Sequence, residues 1–177
     1  PDLESRLRKF QSEAISHIES LLRTAVRVLG RSQDAEDVVQ ETYLRAWRYF
    51  DSFETGSNCR AWLFRIMFNV IGVKRKKDSR VATAPLEEHE EAGTGSSNVV
   101  FLDPLKRIEG REVLDATTRL SEEHRSVLWL VVVEELTYKE VAEVLEVPIG
   151  TVMSRLHRAR RELRKRLTTG RAGGAGA

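Results

Sequence analysis

A dense group of basic side chains lies near the C-terminal end of the sequence. Residues 149–171 contain eight Lys or Arg and one Glu, whereas the whole chain of 177 residues carries a formal net charge of only +2. Guanidinium and ammonium groups at this density bind phosphates through charge-assisted hydrogen bonds. The segment therefore predicts a surface for a polyanion. The alternative is the solvated basic face of an ordinary helix.

The same segment has the spacing of an amphipathic helix. Apolar residues recur every three or four positions and predict one buried stripe, made of Ile149, Val152, Leu156, Ala159 and Leu163. The other faces carry side chains that would meet a DNA groove and its phosphates: Thr151, Met153, Ser154, Arg155, His157, Arg158, Arg160 and Arg161. Of these, His157 could equally be an exposed bystander.

A short helix and a tight turn precede this segment. Thr137 and Glu140 have the spacing of a capping box, and a helix over 138–145 follows. Residues 146–148 then form a turn that contains a proline. Two helices joined by a short turn, the second more basic, predict a helix-turn-helix whose second helix enters the major groove. The residues expected to face inward from the first helix are Tyr138, Val141, Ala142 and Leu145.

Three helices and a loop are predicted for the first half of the chain. Residues 3–29 have the pattern of one long amphipathic helix that Gly30 stops, and Asp34 is expected to cap a second helix. The turn-rich segment 51–59 predicts a loop, and a third helix follows over 60–76. The expected core residues are Val38, Val39, Ala46 and Trp47 on the second helix and Trp62, Ile66, Val70 and Val73 on the third.

Residues 78–104 predict a flexible acidic linker. They lack a helical period and are rich in Gly, Ser, Thr, Ala and Glu. Leu105, Ile108, Val113 and Leu114 then begin a second domain, in which Ser121 caps a further helix. The apolar run 127–133 in that helix also suits a strand, because it is rich in β-branched residues, but its flanks favour a helix.

The predicted fold is therefore all-α, with two small helical domains joined by a flexible linker. The first domain spans 1–77, the linker 78–104 and the second domain, with the helix-turn-helix, 105–168. The remaining residues, 169–177, are expected to be a disordered tail.

The sequence shows no pattern for catalysis or metal binding. His17, His89, His124 and His157 lack ligand spacing, so we expect no metal and no other cofactor. No nucleophile–base set or phosphate loop is present, so neither an enzyme nor a small-molecule substrate is expected. The single cysteine, Cys59, forms no internal disulfide, which fits a reducing cytoplasm. The longest apolar run is too short to span a membrane, and no signal peptide is visible.

Three segments, in this order, resemble one protein family. They are DAEDVVQETYLRAW at 34–47, NCRAWLFRIMFNV at 58–70 and LTYKEVAEVLEVPIGTVMSRLHRARREL at 136–163. These segments are similar to bacterial RNA polymerase sigma factors of the extracytoplasmic-function kind (ECF, group IV of the sigma-70 family). The resemblance covers residues 8–168 apart from the linker. It implies a promoter-specificity subunit that has no catalysis of its own.

The resemblance implies contacts with core RNA polymerase, at its clamp helices and its flap. Four polar residues match the family segment that binds the clamp helices: Asp34, Asp37, Gln40 and Glu41. An acidic helix face suits a basic coiled-coil partner. The plain alternative is a solvated helix face. The family also implies an anti-sigma factor that covers the same surfaces.

The resemblance also implies promoter contacts in both domains. The first domain would bind and melt the −10 element through Phe53, Asn58, Arg65, Asn69, Lys74 and Arg75. The second would read the −35 element as duplex, and the residues that match the family's groove-facing positions are Met153, Ser154, His157 and Arg158. Met153 departs from the family pattern, in which a basic residue is frequent at this place. Phe53 has an equal claim to core packing.

Two other classes of protein fit part of the sequence. A free-standing helix-turn-helix regulator that dimerises on duplex DNA needs the second domain but neither segment 34–47 nor segment 58–70. A helical adaptor would use its basic helices to bind acidic proteins and would show no dependence on promoter sequence.

Overall fold

The computed structural model describes residues 2–81 and 111–172, and every regular element in these ranges is a helix. Short 3-10 turns lie at Ile15–His17 and Phe50–Ser52. The α-helices are α1 Leu3–Glu13, α2 Ile18–Leu29, α3 Ser32–Arg48, α4 Cys59–Val81, α5 Arg111–Thr118, α6 Glu122–Val132, α7 Tyr138–Leu145 and α8 Ile149–Ala172. The predicted all-α fold is confirmed.

The chain divides into two compact units. Helices α1 to α4 build the first unit, and α5, α6, α8 and the first part of α7 belong to the second. Helix α4 continues to Val81, so the first four residues of the predicted linker are helical. Residues 82–110, with the rest of the linker and with Leu105 and Ile108, lie outside the described ranges.

The prediction of a single helix over 3–29 is wrong, because the α-helix is interrupted between Glu13 and Ile18. The carbonyl oxygen of Ala14 accepts hydrogen bonds from His17 N–H at 3.2 Å and from the Tyr43 hydroxyl at 2.8 Å. In a continuous helix this oxygen would accept the N–H of residue 18. A tertiary hydrogen bond from α3 therefore stabilises the break.

The turn between α2 and α3 confirms one prediction and corrects another. Gly30 ends α2 with φ 75°, and its N–H donates to Val26 O at 2.9 Å. Glycine adopts this left-handed conformation without the steric cost of a side chain. Helix α3 already begins at Ser32, so Asp34 lies in its first turn and is not the N-cap. A carboxylate at this place is still stabilised by the helix dipole.

Helices α2, α3 and α4 pack around the core of the first unit. The largest fully buried side chains of α4 are Leu63, Phe64 and Met67, whereas Val73, predicted to be buried, is 55% exposed. The buried face of α4 therefore lies partly to one side of the predicted stripe. Other core residues of this unit are Leu21, Ala25, Val28, Val38, Val39, Ala46 and Val70.

The second unit packs α5 and α6 against α8. The apolar run 127–133 is helical through Val132, and Ser121 caps α6 by accepting the His124 N–H at 3.3 Å. Both predictions are confirmed. Helix α8 extends to Ala172, four residues into the predicted disordered tail. The core is formed by Val127, Leu128, Leu130, Val141, Val152, Leu156, Ala159 and Leu163.

Candidate nucleic-acid interface

An aromatic cluster underlies the loop at residues 51–59. Phe50 stacks on Phe53 with ring centroids 5.8 Å apart, and the Trp62 ring lies 5.1 Å from that of Phe53. Phe53 is only 7% exposed, so in this conformation its ring is a core group that does not reach a base. This burial contradicts the predicted contact between Phe53 and DNA, because the ring anchors the loop from the core. The polar residues that follow it form the exposed surface of the loop.

Asn58 connects this loop to α4. It is exposed, and its Oδ1 accepts the N–H of Ala61 at 3.1 Å, which is the bond of a helix N-cap. Gly56 just before it has φ 91°, a conformation that residues with a side chain rarely adopt. The cap and the glycine together set the direction in which α4 leaves the loop.

Helix α4, which follows the loop, presents several polar side chains. Arg65 and Asn69 are exposed one turn apart, and Arg75 is exposed further along. Lys74 is half-exposed, and its Nζ donates to Asp34 Oδ1 at 2.7 Å. This hydrogen bond holds the pKa of the Asp34 carboxyl below its ordinary value. Lys74, which is predicted to bind DNA, and Asp34, which is predicted to bind polymerase, are thus paired with each other.

The Asp34–Lys74 pair lies in a cleft of about 350 Å³ in the first unit. The cleft is bounded by the end of α2, the start of α3 and the last turns of α4. Its lining is mixed in charge, with three cationic and two anionic side chains, and consists of Leu29, Arg31, Asp34, Ile71, Lys74, Arg75 and Asp78.

The polar face of α3 combines exposed and paired groups. Asp37 and Gln40 are exposed. The Glu41 carboxylate accepts a hydrogen bond from Arg45 Nε at 2.6 Å. Leu44 continues this face and is 63% exposed, although it was not among the predicted residues. The signal that would have identified it is its four-residue spacing from Gln40, which places both side chains on one side of the helix.

The geometry of α7 and α8 confirms the helix-turn-helix. Thr137 N–H donates to Glu140 Oε2 at 2.8 Å, and Glu140 N–H donates to Thr137 Oγ1 at 3.3 Å, so the capping box is formed. Glu146 adopts φ 55° in the turn, and Val147 N–H donates to Ala142 O at 3.1 Å. These bonds fix the exit from α7 two residues before α8 begins.

The outer surface of α8 is less polar than predicted. Met153 and His157 are exposed, and Ile149, predicted for the core, is 49% exposed. Thr151 and Ser154 are half-buried, and the Ser154 hydroxyl donates to Thr151 O at 3.1 Å. Tyr138 of α7, also predicted to face inward, is 37% exposed.

The arginines of α8 have different surroundings. Arg155 has a side chain that is only 20% exposed, and its guanidinium nitrogen lies 3.2 Å from Glu123 Oε2 on α6. This ion pair braces α8 against α6. Arg158 and Arg160 are half-buried, whereas Arg161 is exposed. Of the four predicted arginines, Arg161 is thus the most accessible to a phosphate.

Cys59 is not placed for redox or metal chemistry. Its side chain is 6% exposed, and burial raises the pKa of the thiol to about 11. Within residues 2–81 and 111–172, no group of three or more His, Cys, Asp or Glu could hold a metal ion. None of the helices in the same ranges combines the length and apolarity that crossing a bilayer requires.

Both units match known protein families. The family described as sigma-70 region 2 matches residues 15–81, which lie in the first unit. The family described as sigma-70, region 4 matches residues 110–163, which include α5 to α7 and most of α8.

Curated relatives extend over most of the chain. ECF RNA polymerase sigma factor SigL of Mycobacterium tuberculosis is 35% identical, with 84% of this chain and 82% of that protein covered. ECF RNA polymerase sigma factor EcfG of Rhodopseudomonas palustris is 32% identical, with 86% and 82% covered. ECF RNA polymerase sigma factor SigW of Bacillus subtilis is 29% identical, with 92% and 93% covered.

Two similar solved structures are complexes. One is the sigma factor RpoE with the anti-sigma factor NepR from Bartonella quintana, with a TM-score of 0.68 and 29% identity over 91% of this chain and 98% of that one. The other is CnrH with the cytosolic domain of CnrY, with a TM-score of 0.60 and 26% identity over 92% and 90% of the two chains.

Proposed function

Because this chain belongs to the extracytoplasmic-function family of RNA polymerase sigma factors, we propose that it binds core RNA polymerase and directs transcription initiation at promoters with matching −10 and −35 elements. The first unit binds the clamp helices and melts the −10 element. The second unit reads the −35 element as duplex and lies against the flap. The chain acts in the cytoplasm, needs no cofactor and catalyses nothing itself.

One observation carries this proposal. Family region 2 and family region 4 occur in this order in one chain, and each coincides with a compact helical unit that exposes polar side chains. A free-standing helix-turn-helix regulator has no use for the first unit. Neither it nor a helical adaptor explains why α3 and α4 carry two different polar surfaces.

The polymerase-binding surface that we propose is the exposed face of α3. Asp37 and Gln40 are accessible there, and Leu44 supplies an apolar centre. Apolar groups at the centre of a polar rim contribute most of the free energy in many interfaces. Asp34 and Glu41 already bind Lys74 and Arg45, so each would exchange an internal cation for one of polymerase.

The −10 surface that we propose is the loop at 51–59 together with the adjacent face of α4. Melted DNA must be held by cations on its phosphates and by polar groups that reach base edges. Arg65 and Arg75 supply exposed cations, and Asn58 and Asn69 supply amides. Lys74 joins them when it leaves Asp34. Phe53 supports the loop from the core.

The −35 surface that we propose is the outer side of α8. Its first turns carry Thr151, Met153, Ser154 and His157, and its later turns carry the arginines. Residues near the start of a recognition helix contact base edges, whereas cations along its length contact phosphates. Arg155 braces the helix from behind through Glu123, so we assign it a positioning role.

We also propose that an anti-sigma factor holds this chain inactive. One of the similar complexes described above contains the sigma factor RpoE bound to the anti-sigma factor NepR, and the other contains CnrH bound to the cytosolic domain of CnrY. The exposed apolar side chains Leu44 and Met153 are a reason for such a cover, because unshielded apolar surface promotes non-specific association.

Reconstituted transcription with core polymerase tests the residue assignments. Arg158→Ala should reduce initiation about tenfold at promoters that depend on the −35 element, because one phosphate or base contact is lost. Asn69→Ala should slow promoter opening by a similar factor while duplex binding by the second unit stays intact. Arg8→Ala, which changes an exposed arginine of α1 that we assign to neither surface, is the matched control. Parent-like initiation by both variants would refute the assignments.

A further inference from the structure

Two apolar side chains protrude from the start of the recognition helix α8. Ile149 and Met153 are each 49% exposed, although the core stripe of this helix is already filled by Val152, Leu156 and Ala159. They lie four residues apart, so they occupy one side of the helix about 6 Å from each other along its axis. Gly150 between them has open space where a Cβ would be. This side of α8 is therefore a small apolar surface that another molecule can approach closely.

The same side of α8 lacks the group that reads guanine. The usual specific contact with guanine is a bidentate hydrogen bond from Arg or Lys to O6 and N7. Residues 149–154 contain neither. The first cation of the helix, Arg155, is bound to Glu123 at 3.2 Å and is largely buried. The first two turns can thus offer apolar contact and hydroxyl groups, but no positive charge.

The charge of the rest of the helix fits DNA as the partner, as the proposed function requires. From Arg158 onward the exposed or half-exposed positions of α8 are rich in Arg and Lys, which suit a phosphate backbone and not an apolar protein groove. A helix whose first turns are apolar and whose later turns are cationic suits the major groove, where the first turns would meet base edges. The apolar group that a base edge presents there is the C5-methyl of thymine.

We propose that Met153 is a specificity-determining residue that selects thymine by packing its side chain on the C5-methyl group in the major groove of the −35 element. The inference rests on the proposed function, because it needs α8 in that groove. Ile149 extends the apolar surface beside Met153. The flexible thioether chain adapts to the position of the methyl group better than a branched side chain does.

Replacement of thymine by deoxyuridine tests this directly, because the two bases differ only in the methyl group. A promoter is first selected by run-off transcription with the holoenzyme on a library of random upstream sequences. Each thymine of its −35 region, on either strand, is then replaced singly by deoxyuridine. Loss of one buried methyl group should weaken holoenzyme binding about fourfold at one position. In the Met153→Ala variant the same replacement should not change holoenzyme binding. The Met153→Leu variant should retain most of the fourfold weakening.

Leu3→Ala is the matched control, because it truncates an exposed apolar side chain of α1 and should keep the full fourfold effect. The inference is overturned if no deoxyuridine replacement weakens binding, if the effect persists undiminished in Met153→Ala, or if the selected −35 region contains no thymine on either strand. Failure of the wild-type holoenzyme to select any promoter would instead refute the proposed function, and the inference with it. The selection step therefore distinguishes the two failures.

Discussion

At the scale of single residues, the Asp34–Lys74 bond links the two surfaces of the first unit. The atoms are 2.7 Å apart, and both side chains are about one-third exposed. An ion pair this accessible to solvent is held weakly, because water and salt screen it. A partner that binds either residue more strongly can therefore separate them. Docking of α3 on polymerase would then leave Lys74 available for a phosphate of the melted strand.

Cys59 should react slowly in the folded protein. Burial raises the pKa of its thiol to about 11, so at pH 8 only about one molecule in a thousand carries the reactive thiolate. We expect alkylation by iodoacetamide at pH 8, followed by mass spectrometry, to be about a hundredfold slower than for a free cysteine. The rate should rise as the pH is raised toward 11, and denaturant should restore fast labelling at pH 8. Rapid labelling of the native chain would contradict the buried environment.

For the site residues of the first unit, sequence patterns predicted positions better than surroundings. Asn58, Arg65 and Asn69 are exposed, and their predicted contacts with DNA stay predictions. Phe53 was ambiguous because an aromatic residue in a loop serves equally well in a core or in a base pocket. Only the positions of Phe50 and Trp62 decide between these, and their distances depend on how three separate segments pack.

At the scale of elements, Arg6 fastens α1 to the end of α3. Its guanidinium donates to Trp47 O at 2.7 Å, lies 4.4 Å from the Trp47 ring and pairs with Asp51 at 3.0 Å. These contacts hold α1 over the aromatic cluster.

Arg6→Ala should lower the free energy of unfolding by about 1–3 kcal/mol, because a part-buried charged hydrogen bond and a cation–π contact are lost together. Arg8→Ala is the matched control: Arg8 is exposed and pairs with Glu4 on its own helix at 3.5 Å. That variant should change stability by less than about 0.5 kcal/mol. Urea denaturation followed by circular dichroism measures both. Equal destabilisation by the two variants would show that Arg6 has no special role.

Local signals predicted element ends where local bonds determine them. The left-handed Gly30 and the capping box of Thr137 and Glu140 each need only residues within four positions, so the sequence was sufficient. The break before Ile18 depends on the Tyr43 hydroxyl, 29 residues away. Val73 and Ile149 were misplaced because a helical period defines a stripe but not which of two overlapping stripes tertiary packing selects.

At the scale of the whole molecule, charge distribution matters more than net charge. A net charge of +2 gives little long-range attraction to DNA, whereas α8 and the end of α4 are locally basic. Each surface is small and binds few phosphates. Strong binding should therefore require that polymerase hold both surfaces on one promoter at the same time, as in other linked binding modules.

A gel shift with and without core polymerase tests this requirement. The chain alone should give no discrete complex with a selected promoter below about micromolar concentration, whereas the holoenzyme should shift it at about nanomolar concentration. The control is the same promoter with its −35 element scrambled. Tight, symmetric binding by the chain alone would favour the free-standing regulator instead.

Because Trp62 contacts Phe53, its intrinsic fluorescence can report on the conformation of the loop. An indole ring changes its emission when its neighbours move, and Trp62 lies directly against the residue that anchors the loop. We expect strand separation at the −10 element to move the loop and so to change the surroundings of Trp62. Stopped-flow fluorescence of the unlabelled protein, with Trp47 and Trp129 replaced by Phe, would therefore follow promoter opening in real time without an attached dye.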